Sequence, residues 1–218
     1  MAFRPATNPR DSGFSLLEAM TVLLVMGIVL AMALPSALNA LRDYRLHADA
    51  SDLAASLNLA RMKAASQYAP YRLDASPSAG TFELERLCGN TPSSGASGDA
   101  NCTSPYNAFA APNYDSSGKQ YVSQGNKFVS CLPSGLSTYP GTITASPAGC
   151  PGSGPDPIQL YFNTRGSPVD NAGSPLANGG AALYVENQNN AVDAVTVSVG
   201  GRVAVWNWDV KSSAWYLR

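Results

Sequence analysis

Positions 14–34 read FSLLEAMTVLLVMGIVLAMAL, a run of 21 residues that holds a single charge, Glu18. Coiled as an α-helix, such a run spans roughly 30 Å, the thickness of a bilayer core. The polar stretch before it carries Arg4 and Arg10, and cations ahead of an apolar span favour a cytoplasmic N-terminus. A cleaved secretory signal would have a shorter apolar core followed by a small-x-small cut site. The run is too long for that, and no such site stands out after it. Hydropathy alone therefore reads as a single-pass anchor.

Glu18 adds a demand of its own. An ionised carboxylate near the centre of a membrane helix costs about 2.5–3.5 kcal/mol on insertion scales, and less near an end. It needs a partner. Cleavage after Gly13 would place a new amine on Phe14, four residues from Glu18. When helices pack side by side, the amine of one chain could neutralise the carboxylate of the next. Glycine before the cut gives a protease close access to the backbone. The segment Gly13-Phe14-Ser15-Leu16-Leu17-Glu18 resembles the class III signal of type IV pilins and type II secretion pseudopilins. The resemblance implies cleavage between Gly13 and Phe14 by a cytoplasmic-side prepilin peptidase, N-methylation of Phe14, and an assembly role for Glu18. Gly27 and Pro35 fall where such helices commonly break, and Pro35 removes a backbone donor and should kink the helix.

From 36 to 69 the chain has neither Gly nor Pro. Leu46, Ala50, Leu53, Leu57, Ala60 and Ala64 recur at spacings of four and three, which is one apolar stripe of an amphipathic helix. The stripe is expected to pack on a sheet rather than form a coiled-coil seam, and its alanines allow close approach. Most charges lie off the stripe. His47 has no carboxylate or cysteine at ligand spacing and is expected at the surface or as a cap. The pairs Asp49/Asp52 and Glu83/Glu85 are expected on solvated faces. The stretch Leu57 to Ala65, followed by Tyr71-Arg72-Leu73, resembles the helix end and first strand of the GspH/FimT family of minor pilins and pseudopilins.

Positions 74–157 hold 11 of the 19 glycines, 10 of the 16 prolines and all four cysteines: Cys88, Cys102, Cys131 and Cys150. Beyond a strand over 81–87, regular structure should be sparse there. A long irregular segment of this kind needs tethers. No C-x-x-C pair is present, which speaks against a redox motif or zinc ribbon. Disulfides persist outside the cytoplasm. Of the three connectivities, Cys88–Cys102 with Cys131–Cys150 closes two short loops and is the expected one. Free thiols are the alternative. The insertion, about 88–157, is expected to be an interaction surface.

Strands are expected over 158–163, 181–186, 192–199, 202–208 and 214–217, with 164–168 a turn or loop. Gly200-Gly201 reads as a two-residue hairpin turn. That register sets Arg202 opposite Val199 and Trp206 opposite Val195. One face would then carry Val195, Val197, Val199, Ala204, Trp206 and Trp208. The segments 162–166 and 197–203 again resemble GspH/FimT proteins. In some FimT-type members a Gly-Arg-x-Arg element is tied to DNA binding. Here Gly201-Arg202-Val203-Ala204 keeps the first arginine and loses the second. Duplex binding draws on several phosphate contacts, and after residue 127 only Arg165, Arg202, Lys211 and Arg218 are basic. Arg202 stays the candidate contact to DNA or a partner, with weak support for DNA. The tryptophans and Tyr216 could stack bases, but packing is their expected use.

With 14 Lys+Arg against 15 Asp+Glu, one histidine and charged residues at 13%, composition argues against a strongly basic nucleic-acid protein and leaves few groups for metal or acid–base chemistry. No P-loop, nucleophile elbow, zincin or EF-hand pattern occurs, so no enzyme, cofactor or metal is expected. The expected fold is α+β and pilin-like: a leader over 1–13, a transmembrane and assembly helix over 14–35, its amphipathic half over 36–70, and a β domain over 71–218. The resemblance implies a GspH/FimT-type minor pilin that joins, and helps to prime, a type IV pilus. The alternatives are a type II secretion pseudopilin and a DNA-binding minor pilin of transformation. The implied partners are other pilins or pseudopilins through the N-terminal helix, the prepilin peptidase, the inner-membrane assembly platform with its motor ATPase, and inner-membrane lipid. The implied location is the inner membrane with the β domain periplasmic, then the pilus surface.

Overall fold

The computed structural model describes residues 15–77, 79–87, 114–129, 131–133, 135–144, 158–170 and 172–218. The chain divides into two compact units, one running to Leu41 and one from Arg42 to Arg218.

The first unit is the start of α1 (Leu16–Gln67), and every residue from Ser15 to Arg42 is exposed. Ser15 stands at the cap position, where its residue type is favoured, and its carbonyl accepts the Ala19 amide at 3.1 Å. Glu18 lies in the first turn, where the helix dipole favours an anion. The helix runs through Gly27 and Pro35 without a break. Proline removes one backbone donor, and the neighbouring turns carry on.

The second unit begins where the apolar stripe begins. Leu46, Ala50, Leu53, Leu57, Ala60 and Ala64 are all fully buried, as their spacing requires. α1 ends at Gln67 because Tyr68 turns into the left-handed region at φ 50, and Pro70 bars the residue before it from continuing the helix. The strands follow as β1 (Tyr71–Ser76), β2 (Thr81–Leu87), β3 (Tyr114–Tyr121), β4 (Lys127–Val129), β5 (Ile158–Phe162), β6 (Pro168–Val169), β7 (Gly180–Glu186), β8 (Val192–Ser198), β9 (Val203–Asp209) and β10 (Ala214–Leu217).

They form two five-stranded sheets, ordered β3-β2-β1-β5-β6 and β10-β9-β8-β7-β4, and the pairings are antiparallel. The stripe, expected to pack on one sheet, meets two. The stripe packs in one core with Leu73, Phe82, Leu84, Leu160 and Phe162 of the first sheet and Leu183, Val185, Val195 and Val197 of the second. Each such aliphatic or aromatic side chain contributes about 1.5–3 kcal/mol by leaving water. Phe82 and Phe128 bridge the sheets edge-on, with ring centroids 5.7 Å apart.

Three further expectations change. The middle region holds β3 and β4 as well as β2. Tyr114-Asp115-Ser116-Ser117-Gly118 offers no apolar alternation, so β3 forms by pairing with β2 rather than by its own pattern. The stretch 164–168 is a turn whose last residue, Pro168, opens β6 opposite Phe162. The β8–β9 hairpin slips by one: Val197 faces Val203 and Val195 faces Val205. Gly201, at φ 80, takes a left-handed bend that lengthens the connection to Val199-Gly200-Gly201, with the Ser198 amide donating to the Arg202 carbonyl at 3.0 Å. A one-residue slip exchanges the faces of a strand. Val203 and Val205 therefore join Val195 and Val197 on the helix-facing core, while Trp206 and Trp208 turn to the other face.

That other face is covered by part of the insertion. Leu132, Leu136, Tyr139 and Ile143 pack with Ala182, Tyr184, Ala194, Trp206, Trp208 and Trp215. Trp215 Nε1 donates to the Thr138 carbonyl at 2.8 Å, and Trp208 lies edge-on to Trp215 at 5.2 Å. Burial pushes the Tyr184 phenol well above its ordinary value. The tryptophans are thus packing residues. Residues 131–133 and 135–144 cover the sheet. Cys131 is disulfide-bonded. Cys88, Cys102 and Cys150, and with them the partner of Cys131, lie outside the described residues.

Candidate assembly interface

The candidate interface is built on the first half of α1. After Glu18, residues 19–41 contain no charge, and Arg42 is the next. Leu16, Leu17, Leu23, Val29 and Met32 are each more than half exposed. The helix is long and apolar enough to cross a membrane. Exposed apolar surface on this scale is costly in water and marks a lipid or protein contact. At its start sits one carboxylate. The Glu18 carbonyl accepts the Thr21 hydroxyl at 2.8 Å, a bond that leaves the carboxylate itself available. Gly13 and Phe14, the expected cleavage and methylation positions, lie outside the described residues.

Arg202, the second candidate contact, is exposed on the β8–β9 turn. Its amide donates to Ser198 Oγ at 3.1 Å. From the helix, Arg61 Nη1 donates to the Gly201 carbonyl at 2.8 Å and fixes the turn.

The polar residues of the second unit are more embedded than expected. Asp49 is buried and accepts from the Ser123 amide at 2.9 Å, Ser123 Oγ at 2.8 Å and Asn126 Nδ2 at 2.5 Å. Glu85 is buried against Arg72 Nε. Burial pushes its pKa above the ordinary carboxylate range, and the Arg72 hydrogen bond and charge only partly oppose this. His47 is a structural tie: Nδ1 meets the fully buried Asp193 carboxylate at 2.5 Å, and Nε2 faces the Arg218 guanidinium at 2.9 Å. Asn207 Nδ2 also donates to Asp193, at 2.9 Å. The ties of Asp49 and His47 cross 74 to 171 positions of sequence, which is why spacing along the chain gave no sign of them. Among the described residues no group of three or more His, Cys, Asp or Glu is placed to hold a metal.

Residues 8–34 match the family model described as the prokaryotic N-terminal methylation motif. The chain carries this motif at the start of α1. The motif spans Gly13, Phe14 and Glu18, and it leads into a helix whose second half packs on antiparallel sheets. Two solved structures of the minor pseudopilin EpsH from the type II secretion system of Vibrio cholerae are similar to this chain. One has 9% identity and a TM-score of 0.41, covering 74% of this chain and 95% of its own. The other has 9% identity and a TM-score of 0.38, covering 81% and 94%. No curated protein matches.

Proposed function

We propose that this chain is a minor pilin of the GspH/FimT type, a non-enzymatic subunit that joins and primes a type IV pilus. The observation that carries the reading is the exposed helix over residues 16–41 with Glu18 as its sole charge, set within a methylation motif. In this reading the prepilin peptidase cuts between Gly13 and Phe14, and Phe14 is N-methylated. The helix rests in the inner membrane with the β domain on the periplasmic side. During assembly, at a platform driven by a motor ATPase, the Phe14 amine of a neighbouring pilin pairs with Glu18. The pairing relieves the cost of a lone carboxylate in an apolar bundle and sets the axial register of each entering subunit.

The test is the amount of sheared surface pili in a clean deletion strain, with the restored gene as control. Loss of pili on deletion and recovery on restoration are expected. Unchanged pili would overturn the reading. In that event lost protein secretion would point to a type II secretion pseudopilin, and lost DNA uptake to a transformation subunit that uses Arg202.

A further inference from the structure

Two turns meet on one helix residue. A Cβ placed on Gly166 would lie 2.9 Å from the Arg61 carbonyl oxygen, and one on Gly201 would lie 3.1 Å from Arg61 Nε. This close approach sets Arg165 and Arg202, the exposed neighbours of those glycines, at the same end of the domain. The segments 53–73, 158–169 and 194–208 that build this end contain no Asp or Glu. Among the described residues the side chains of Arg165 and Arg202 make no ion pair. Beside Arg202 opens a groove of about 330 Å³, with Trp206, Leu217 and Ala204 as its apolar lining and Thr142, Thr196 and Ser198 as hydroxyl-bearing residues. A cation beside an apolar groove suits a carboxylate that has an apolar side chain next to it.

The chain carries that pair at the far end of the same strand. β9 starts after Arg202 and ends at Asp209, about 20 Å away at ordinary strand rise. The Asp209 carboxylate accepts the Lys211 amide at 3.0 Å and Ser212 Oγ at 2.8 Å. The Ser212 bond, then the Lys211 amide, hold its pKa below the usual range, so it stays ionised at neutral pH. Val210 beside it is 71% exposed.

We propose that the domain contacts a second copy of the chain head to tail, the Asp209–Val210 turn of one copy seating on the Arg202 groove of the next. Such a contact uses two different surfaces, so it leaves a free half at each end and can propagate. A protein segment fits better than duplex DNA, which draws on several phosphate contacts and has no use for an apolar groove. The inference rests on the filament-subunit reading. Pilus yield tests that reading, and contact between copies in isolated membranes tests this one, so either can fail alone.

The experiment uses two differently tagged full-length copies in one cell, one with Val199→Cys and the other with Lys211→Cys, which also removes the exposed cation beside Asp209. Isolated membranes are treated with a short bismaleimide. A mixed-tag dimer is expected. Its yield should fall about ten-fold or more when Arg202→Glu is added to the first copy, since like charges then face each other. It should return when the second copy carries Asp209→Arg, and this rescue also shows that the charge variants fold. A missing dimer, or one indifferent to both reversals, overturns the contact. So does duplex DNA binding through Arg202 with no dimer formed.

Discussion

Removing the Asp49 carboxylate would strand three donors, the Ser123 amide, Ser123 Oγ and Asn126 Nδ2, beneath a buried surface. Hydrogen bonds to a charged group contribute about 1.5–3 kcal/mol, and Asp49→Ala should lose about that much. Thermal unfolding of the full chain in detergent checks it. Glu85 behaves in the opposite sense. Its folded pKa is raised by burial, so the folded state holds the proton more tightly than the unfolded one. Ionised Glu85 therefore costs stability, and the cost grows as pH rises from the ordinary value of about 4 through the raised one. The melting temperature of Glu85→Gln relative to the unaltered chain should therefore become more favourable as pH rises from about 4. A difference that does not change with pH would contradict this. Neither role was legible in the sequence. Asp49 stands next to an apolar stripe position and Glu85 in an alternating strand, and both looked solvated until their partners arrived from elsewhere in the chain.

At the scale of elements, the stripe of α1 was fully legible, because buried helix positions must recur at the helical period. Leu57 sits at its centre with no exposure. Leu57→Ala should cost about 2–5 kcal/mol, read as a lowered unfolding midpoint with unchanged helix content below it. The β8–β9 hairpin was legible in its existence and not in its register. Two adjacent glycines signal a turn, but which of them adopts positive φ depends on what the turn rests against. Here Gly201 rests on Arg61. Gly201→Ala forces a Cβ toward that guanidinium at an unfavourable φ and should cost about 1 kcal/mol or more. β3 and β4 were illegible because pairing partners, and not their own side chains, define them.

For the molecule as a whole, the apolar run and its single acid already set the division between an exposed N-terminal helix and a folded C-terminal unit. In the proposed role, Glu18→Ala should leave membrane insertion and processing intact and abolish recovery of the chain in sheared filaments. Incorporation at the level of the unaltered chain would remove the assigned role of Glu18. What the sequence hid was that the stripe serves two sheets. Both draw their inner side chains into one core on the same helix face. Neither sheet can peel away without wetting the surface the other needs, so heat should not dismantle them in turn. The domain from Arg42 onward should melt as one cooperative unit, with calorimetric and van't Hoff enthalpies in agreement.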